Sequence, residues 1–307
     1  MKSLVVGGNG FIGSNLVDRL VECGHEVVVL DLWQRRYDKM PPEVRFMQGQ
    51  IKQSFLLFEA LADVNVVYHL AWAMTHEMSN RDLVADVRAN LVSSLHLIEA
   101  SLRAGVDRIV FVSSGGTVYG HSGVFDIPEN APKTPLSSYG ITKLAVEKYI
   151  QMFNHLYGLD YVILRPSVPY GPRQSPHGRQ GAVAVFLYRV AHGLPLTIWG
   201  DGSVTRDYFY ISDLIDALVT SMDRELSKHR IFNISGDEKI TLVNLVELVE
   251  QTVGRKAIVE YSPARKFDAT RIILDTQLAR HELDWQPKVP MVQGLAMTWN
   301  WMKTHEQ

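Results

Sequence analysis

Through its first half the chain alternates short β-branched runs with longer stretches in which apolar residues recur every three or four positions. Runs at 4–6, 27–30, 64–68, 109–112 and 161–164 have the length and composition of strands buried on both faces. The helical period occupies 11–23, about 82–104, and 138–157. Strand and helix in alternation predict a parallel sheet covered by helices on both sides. With right-handed crossovers this is an α/β fold, a Rossmann-like doubly wound parallel sheet whose ligands lie at the carboxyl ends of its strands.

After Arg165-Pro166 the pattern changes. Residues 166–181 hold four prolines and three glycines, which predicts a long functional loop without regular structure. Helices follow near 182–192, 211–222 and 242–253, with a short strand at 196–199. Neither repeats nor a low-complexity linker interrupt the chain. The expected organisation is a Rossmann domain over 1–167, with a returning segment near 206–230, and a smaller α/β domain over 168–307 that mainly binds substrate.

Composition narrows the class of protein. With 307 residues, 46% apolar and 21% charged, the chain is globular rather than disordered. A net charge of −2, from 31 basic and 33 acidic residues, provides no footprint for nucleic acid or an anionic membrane surface. No apolar run approaches the roughly 20 residues of a membrane span. The single cysteine, Cys23, excludes an internal disulfide or a cysteine-based zinc site, and reads as core or helix-end filler. A reducing, cytoplasmic setting is expected, since the first apolar run is too short for a signal peptide and is broken by Gly7-Gly8. The eleven histidines show no metal-ligand spacing, so no metal is expected, and His69 reads as a packing residue at a strand end.

The chemistry begins where the first strand meets Gly7-Gly8-Asn9-Gly10-Phe11-Ile12-Gly13. Glycines spaced GxxGxxG permit a tight turn, close approach of backbone to a pyrophosphate, and packing of helix on strand. The N–H groups of the helix that opens at Phe11 and Ile12 then face the phosphates. Asp31 ends the second strand, 18 residues beyond Gly13, where its carboxylate accepts from both hydroxyls of an adenosine ribose. That carboxylate would repel a 2′-phosphate, so the expected cofactor is NAD rather than NADP. Arg35 and Arg36 follow closely and could soften the preference, although arginines so placed are more often solvated.

Tyr139 and Lys143 stand i, i+4 on the predicted helix 138–157, behind Ser137 and Ser138 as candidate caps. A phenol ionises near pH 10, and work as a base near pH 7 asks for a lowering of about 3 units, or about 4 kcal/mol. A neighbouring ammonium and a positive nicotinamide ring supply that stabilisation, and the lysine is also placed to hold the nicotinamide ribose.

With these motifs in order, the chain resembles the extended short-chain dehydrogenase/reductase family, in its nucleotide-sugar epimerase and dehydratase group, over essentially its whole length. The matching residues are 7–13, Asp31, His69-Leu70-Ala71, Asn90, Ser113 to Gly120, Tyr139 with Lys143, Arg165-Pro166-Ser167 and Tyr170-Gly171-Pro172. They continue with Gly200-Asp201-Gly202, Arg206-Asp207-Tyr208, Arg265 with Asp268, Leu274-Asp275 and Leu283 to Pro287. The resemblance implies NAD held by Gly7, Gly10, Phe11, Ile12, Gly13, Asp31, Gln50, Ile51, Leu70, Ala71, Asn90, Ser113, Tyr139, Lys143 and Pro166. It implies a nucleotide sugar, UDP-linked by expectation, bound by Thr117, Tyr139, Val168, Arg206, Tyr208, Arg265 and Asp268. Arg206 and Arg265 would grip the diphosphate, and Asp268 would accept from the nucleoside ribose. The implied reaction is 4-epimerisation: hydride leaves C4 for NAD while Tyr139 takes the hydroxyl proton, the 4-keto sugar turns over, and hydride returns to the other face. A setting in polysaccharide biosynthesis is implied as well.

The sequence departs from the family pattern at four places. The hydroxyl residue that normally bonds the reacting sugar oxygen aligns with Gly115; Thr117 and Ser114 are the substitutes, with Thr117 favoured. Gln50 stands where Asp usually meets adenine. Val168 replaces an asparagine that faces the diphosphate and cannot donate a hydrogen bond. Trp72, Ala73 and Met74 occupy the neighbourhood of a usual lysine. Arg173 and Arg179 in the proline-rich loop could reach a charged sugar, but read more readily as solvated.

Other readings stay open. A 4-keto-sugar reductase would use the same Tyr139 and Lys143 but consume reduced cofactor. A 4,6-dehydratase is disfavoured because Gly115, Gly116 and Thr117 include no acid. A cofactor-sensing or scaffold protein would keep the fold without the chemistry. The helices around 90–104 and 138–157 are apolar on more than one face; in the family this pair builds a dimer interface, so a C2 homodimer is expected.

Overall fold

The structure, a computed structural model, describes residues 1–35, 37–178, 181–222, 230–265 and 269–305. Its strands, in chain order, are β1 Lys2–Val6, β2 Glu26–Asp31, β3 Arg45–Gln48, β4 Val66–His69, β5 Arg108–Val112, β6 Asp160–Pro166 and β7 Val168–Tyr170. After them come β8 Pro195–Trp199, β9 Thr205–Tyr210, β10 Ile231–Ile234, β11 Lys239–Thr241, β12 Ile258–Ser262 and β13 Arg271–Ile272. Seven of them form one parallel sheet in the order β10-β6-β5-β4-β1-β2-β3. This is the doubly wound sheet that the alternating pattern predicts. The strand order reverses between β1 and β4, which end side by side at Val6 and His69, and the crevice beyond those ends is where such a sheet takes its ligand.

The near-continuous apolar strands are explained by two cores. Leu4 and Val6 of β1, with Val28 and Leu30 of β2, point into one core together with Val146 and Ile150 of the helix Ser138–Tyr157. Val5, Val27 and Val29 point into the other, against Leu16, Val17 and Leu20 of the helix Phe11–Glu22 and Leu214 of the helix Ile211–Thr220. Adjacent strand residues face opposite sides, so both must be apolar.

A second, smaller layer combines β11, β9 and β13 with β7 alongside β9, while β8 pairs with β12. The prolines and glycines of 166–181 predict no regular structure, yet β7 forms there. Pro169 is tolerated because β7 pairs on one side only, with β9, and so needs no full set of donors. The chain crosses back twice: the helix Ile211–Thr220 packs on Phe11–Glu22, and β10 adds to the edge of the large sheet beside β6. Neither β3 nor β10 is legible in the sequence, because Arg45-Phe46-Met47-Gln48 mixes polar and apolar residues and β10 carries a buried Asn233.

The stretch expected to be a single helix over 82–104 is a helix with a wider turn inside it: α-helical Leu83–Asp86, a π-helical turn at Val87–Val92, and α-helical Ser93–Arg103. Such turns insert a residue without breaking the axis and often sit at functional positions.

A wholly buried ion pair ties the layers together. Arg165 on β6 donates from Nη2 to Glu147 Oε2 at 2.6 Å and from Nε to Oε1 at 3.0 Å, a two-pronged contact with the helix Ser138–Tyr157. Ser113 Oγ donates to the same carboxylate at 2.5 Å, Arg165 Nη1 donates to the Tyr119 oxygen at 2.8 Å, and Tyr119 donates to Asn233 Oδ1 of β10 at 2.7 Å. Replacing Glu147 with Gln strands a buried guanidinium without its counter-charge and should lower unfolding free energy by about 3 kcal/mol. Urea denaturation of E147Q against the parent protein measures this, and an unchanged midpoint would show that the pair is not structural.

Candidate active site

The turn after β1 is built from its glycines in two different ways. Gly7 has φ +86°, and a Cβ on it would lie 2.6 Å from the backbone nitrogen of Ala71. A Cβ on Gly13 would lie 2.2 Å from the Gly7 carbonyl oxygen. Protein packing therefore demands glycine at both. Gly10 differs: its added Cβ would meet only the Gly7 oxygen at 3.4 Å. Among the described residues nothing forbids a side chain there, so glycine keeps the space in front of the helix Phe11–Glu22 open. That helix has no side-chain cap and no acid in its first turn, which leaves its leading N–H groups available to an anion. Asp31 reaches the same lip, where its Oδ2 accepts from the backbone nitrogen of Asn9 at 2.9 Å. The cradle is shaped and polarised for a dinucleotide diphosphate, with a carboxylate at the ribose end.

The residues around it fall into two groups. Leu70 and Ala71 follow β4, and both donate their backbone N–H to the Val6 oxygen, which fixes the wall opposite the glycine turn. Exposed Gln50 and half-buried Ile51 stand beyond β3 at the Asp31 side. Asn90 is buried and its amide is engaged by protein, accepting from the Ala73 nitrogen at 2.8 Å and donating to Asp86 at 2.7 Å. Ser113 is likewise turned to Glu147. Pro166 closes β6 and pairs with Ile234.

Arg35, expected in solvent, is not there. Its side chain is almost entirely buried, paired with Asp18 at 2.8 Å and bonded to the Ser14 carbonyl at 3.1 Å. Arg173 is also committed, reaching Asp18 at 2.7 Å, Asp38 at 2.9 Å and the Ser14 carbonyl at 3.0 Å. It therefore straps the proline-rich loop to the first helix instead of reaching toward a sugar. Arg36, Arg179 and Asp268 lie outside the described residues. Cys23 caps the first helix and is exposed.

Tyr139 and Lys143 emerge at the carboxyl ends of β4 and β5. The helix that carries them starts at Ser138 because Ser137 caps it, its Oγ accepting from Gly140 N at 3.3 Å. Two side chains of the preceding helix His76–Arg81 hold its other leading amides: Asn80 Oδ1 accepts from Ser138 N at 2.9 Å and Ser79 Oγ from Tyr139 N at 3.1 Å. The Tyr139 phenol makes no hydrogen bond to a described residue; its ring stacks on His76 with centres 4.4 Å apart and meets the edge of Trp72 at 5.7 Å. Lys143 is buried, donates to the Val112 carbonyl at 2.7 Å and lies 3.7 Å from the centre of the Trp72 ring. Burial pulls the Lys143 ammonium down to about 7, with Glu147 opposing. Burial raises the Tyr139 phenol above its ordinary value, and Asp86 adds to the rise. Burial thus disfavours the charged form of both groups, and an added positive charge favours the phenolate but not the ammonium. His69 is buried neutral beneath them, held down to about 3 by burial, and shares a 2.7 Å hydrogen bond with Ser94.

Packing accounts for the glycine at position 115. A Cβ on Gly115 would lie 2.4 Å from Leu274 Cδ1 and 2.8 Å from the Arg165 carbonyl, so this backbone has no room for a serine there. Thr117 sits beside the Tyr139 helix: a Cβ on Gly140 would strike its carbonyl oxygen at 2.8 Å, so the second residue of the YGITK segment must be glycine. The Thr117 hydroxyl makes only a weak 3.5 Å bond back to the Ser114 carbonyl. Ser114 Oγ, half-buried, has no partner among the described residues. Trp72, His76 and Asp86 complete this wall. Sequence reading did not assign them to the site, and only the i, i+4 spacing of Asp86 and Asn90 hinted at a shared face.

The residues expected to bind substrate gather around β9. Val168 pairs with Tyr208, and Tyr208 is buried and pushed up to about 12 by that burial. Arg206 is half-buried and donates to the carbonyls of Thr205 at 2.8 Å and Ala269 at 2.7 Å. The Arg265 guanidinium lies 5.1 Å from the centre of the Trp199 ring. No group of three or more His, Cys, Asp or Glu among the described residues is arranged to hold a metal ion.

Known proteins share this architecture over its full length. Residues 3–235 match the NAD dependent epimerase/dehydratase family. A UDP-glucose 4-epimerase of Mycolicibacterium smegmatis is 36% identical over 315 residues, covering 100% of both chains. A dTDP-4-dehydro-6-deoxyglucose reductase of Escherichia coli is 34% identical over 304 residues, 95% of this chain and 94% of its own. Among solved structures, the UDP-glucose 4-epimerase of Thermotoga maritima with UDP-glucose has a TM-score of 0.95 at 36% identity, covering 100% of each chain. That of Thermus thermophilus in complex with NAD has a TM-score of 0.92 at 34% identity, covering 99% of each. With the glycine cradle, Asp31 and the Tyr139–Lys143 pair in place, this chain belongs to the NAD-dependent epimerase/dehydratase family.

Proposed function

We propose that this protein is an NAD-dependent nucleotide-sugar 4-epimerase acting on a UDP-sugar. The observation that carries the reading is Tyr139: a phenol with no hydrogen bond to any described residue, one helical turn from a buried lysine, beside a cradle that Gly10 keeps open. Relatives of both chain length and fold named as UDP-glucose 4-epimerases support it.

In this reading, residues 1–167, with the returning helix Ile211–Thr220 and β10, hold NAD, and 168–307 mainly hold the sugar nucleotide. The N–H groups of Phe11, Ile12 and Gly13 receive the diphosphate, Asp31 the adenosine ribose, Gln50 and Ile51 the adenine. Leu70, Ala71, Asn90, Ser113 and Pro166 form or brace the nicotinamide wall, and Lys143 bonds the nicotinamide ribose. Bound NAD supplies a reversible hydride acceptor for C4 of the sugar and a positive ring whose charge favours a phenolate. Tyr139 Oη takes the proton of the 4-hydroxyl and, once the 4-keto sugar has turned its other face to the cofactor so that hydride can return to C4, gives the proton back to O4. Lys143, held by Trp72 and the Val112 carbonyl, steadies the phenolate. Thr117, with Ser114 as the alternative, bonds the same sugar oxygen in place of the side chain that Gly115 lacks. Arg206 and Arg265 grip the substrate diphosphate, Asp268 takes the nucleoside ribose, and Val168 and Tyr208 line the sugar face. A cytoplasmic setting and a place in polysaccharide assembly accompany this reading.

The second reading, a reductase of nucleotide 4-keto sugars, is favoured by the Escherichia coli relative. It keeps Tyr139 and Lys143 in the same roles but consumes reduced cofactor.

Proton NMR of the NAD-loaded protein with UDP-sugars, and no added reductant, should show a 4-epimer growing to equilibrium. Consumption of reduced cofactor with a 4-keto sugar, and no isomer from the panel, would establish the reductase. Tyr139→Phe should lower kcat about 10³-fold while NAD affinity, followed by calorimetry, stays within about threefold.

The two kinds of glycine make separable predictions. Gly10→Ala should leave the melting temperature nearly unchanged yet weaken NAD binding about tenfold, equivalent to about 1.4 kcal/mol. Gly13→Ala should lower both, because its methyl collides with the Gly7 carbonyl. Equal NAD affinity in Gly10→Ala and the parent would contradict the cradle.

The Leu83–Arg103 segment and the Ser138–Tyr157 helix pack side by side, and Leu83, Val84, Val87, Ile141, Met152 and Leu156 on them are exposed. We propose that this face joins two copies in a C2 homodimer. Sedimentation equilibrium should give twice the chain mass, and Val84→Glu with Leu156→Glu should give the monomer.

A further inference from the structure

Asp86 is wholly buried, and none of its described contacts is a cation. Its Oδ1 accepts from Asn90 Nδ2 at 2.7 Å; its Oδ2 accepts from Ser138 Oγ at 2.6 Å and from Thr142 Oγ1 at 3.3 Å. A buried carboxyl with no counter-ion is costly, and is kept where hydrogen bonds and a helix N-terminus stabilise it. Here the helix is the one that carries Tyr139, and two of the three donors, Ser138 and Thr142, flank that tyrosine along it. Thr142 Oγ1 also contacts the Tyr139 carbonyl at 3.0 Å. The third donor, Asn90, uses its other end to fix the Ala73 nitrogen in the segment that follows β4. The π-helical turn Val87–Val92 begins directly after Asp86 and contains Asn90. Three elements that form the site thus meet on one carboxyl.

We propose that Asp86 is a positioning residue for Tyr139, which seats the first turn of its helix against the site wall and sets the charge balance at its phenol. The inference rests on the reading of Tyr139 as the acid and base. Among the described residues, the charges and titratable groups seen against Tyr139 are Lys143 from its own helix, with Nζ 5.8 Å from the ring centre; His76 stacked on its face from His76–Arg81; and Asp86 from the neighbouring helix. Lys143 favours the phenolate and Asp86 opposes it. Asp86 thereby adds to the burial that holds the phenol protonated, and bound ligands that bring positive charge act against both, so that proton removal is coupled to occupancy of the site. Burial alone acts in the same direction but cannot be removed by a single isosteric change; the carboxyl can.

Asp86→Asn is that change. Its amide oxygen can still accept from Asn90, and its amide nitrogen can donate to the Ser138 and Thr142 hydroxyls, which accept as readily as they donate. Two readouts on the NAD-loaded enzyme test the proposal: the pH dependence of kcat/KM with a UDP-sugar, and ultraviolet titration of the phenolate at 295 nm as the difference from the Tyr139→Phe version. Loss of the negative charge favours the phenolate, so the acid limb and the absorbance midpoint should both move to lower pH by about one unit. The shift should persist in a His76→Gln background, which removes the other titrating neighbour. Asp86→Ser, which keeps a hydroxyl in place, should give the same shift and serves if the asparagine variant fails to fold.

A well-folded Asp86→Asn or Asp86→Ser enzyme with superimposable profiles overturns the proposal and leaves Asp86 a purely structural residue. A shift that vanishes with His76→Gln also overturns it. If Tyr139→Phe retains turnover, the reading of Tyr139 fails instead, and the absorbance midpoint still reports whether Asp86 acts on the phenol.

Discussion

The arrangement of the site depends on the buried pair between Arg165 and Glu147. A guanidinium and a carboxylate withdrawn from water cost more than they return unless nearly every donor and acceptor is matched. Here Ser113, Tyr119 and Asn233 complete the matching, and each belongs to a different segment. The helix Ser138–Tyr157 is therefore locked in rotation and height against β5, β6 and β10. Lys143 stands one turn before Glu147 on that helix and Tyr139 two turns before it, so the lock sets where both side chains enter the crevice. A purely apolar interface would tolerate sliding; a two-pronged ion pair does not.

Two opposing demands then meet at the crevice. Burial makes Lys143 and Tyr139 resist ionisation, while the proposed chemistry needs an ammonium beside a phenolate. The lysine retains support from the Trp72 ring and the Val112 carbonyl. The tyrosine phenol accepts no hydrogen bond from a described residue, burial and then Asp86 weigh against its ionisation, and Lys143 is the cation nearest its ring among the described residues. In the proposed reaction, ionisation of Tyr139 is thereby tied to the arrival of a ligand that brings positive charge.

The two halves of the chain are joined through this site more than beside it. Leu274, from the second half, fills the volume that a side chain at position 115 would need. Arg173 straps the loop after β7 to the first helix, and β10 completes the large sheet. The absence of a hydroxyl at Gly115 is thus a packing consequence, and the proposed reaction turns to Thr117 or Ser114 for that hydrogen bond. Val168 has a comparable origin: as a β7 residue paired with Tyr208 it belongs to the small sheet.

The sequence by itself determined the parallel sheet, the glycine turn, Asp31 and the Tyr139–Lys143 pair, because each is written in neighbouring residues: a two-sided apolar strand, a turn that only glycine fits, a spacing of one helical turn. It also carried the family, through motifs in order. What it could not determine was anything decided by contact between distant segments. β3 and β10 lack a periodic signature and exist because the sheet edges accept them. β7 forms among prolines because β9 lies alongside. The guanidinia of Arg35 and Arg173 look solvated in sequence and are ion-paired because Asp18 and Asp38 face them across the fold. Asp86 is one acid among many until the π-helical turn brings it to Ser138 and Thr142. Local conformation is set by the chain's own sterics and periodicity, whereas the partner of a buried polar group is set by whichever segment folding places within about 3 Å, and that is a property of the tertiary structure alone.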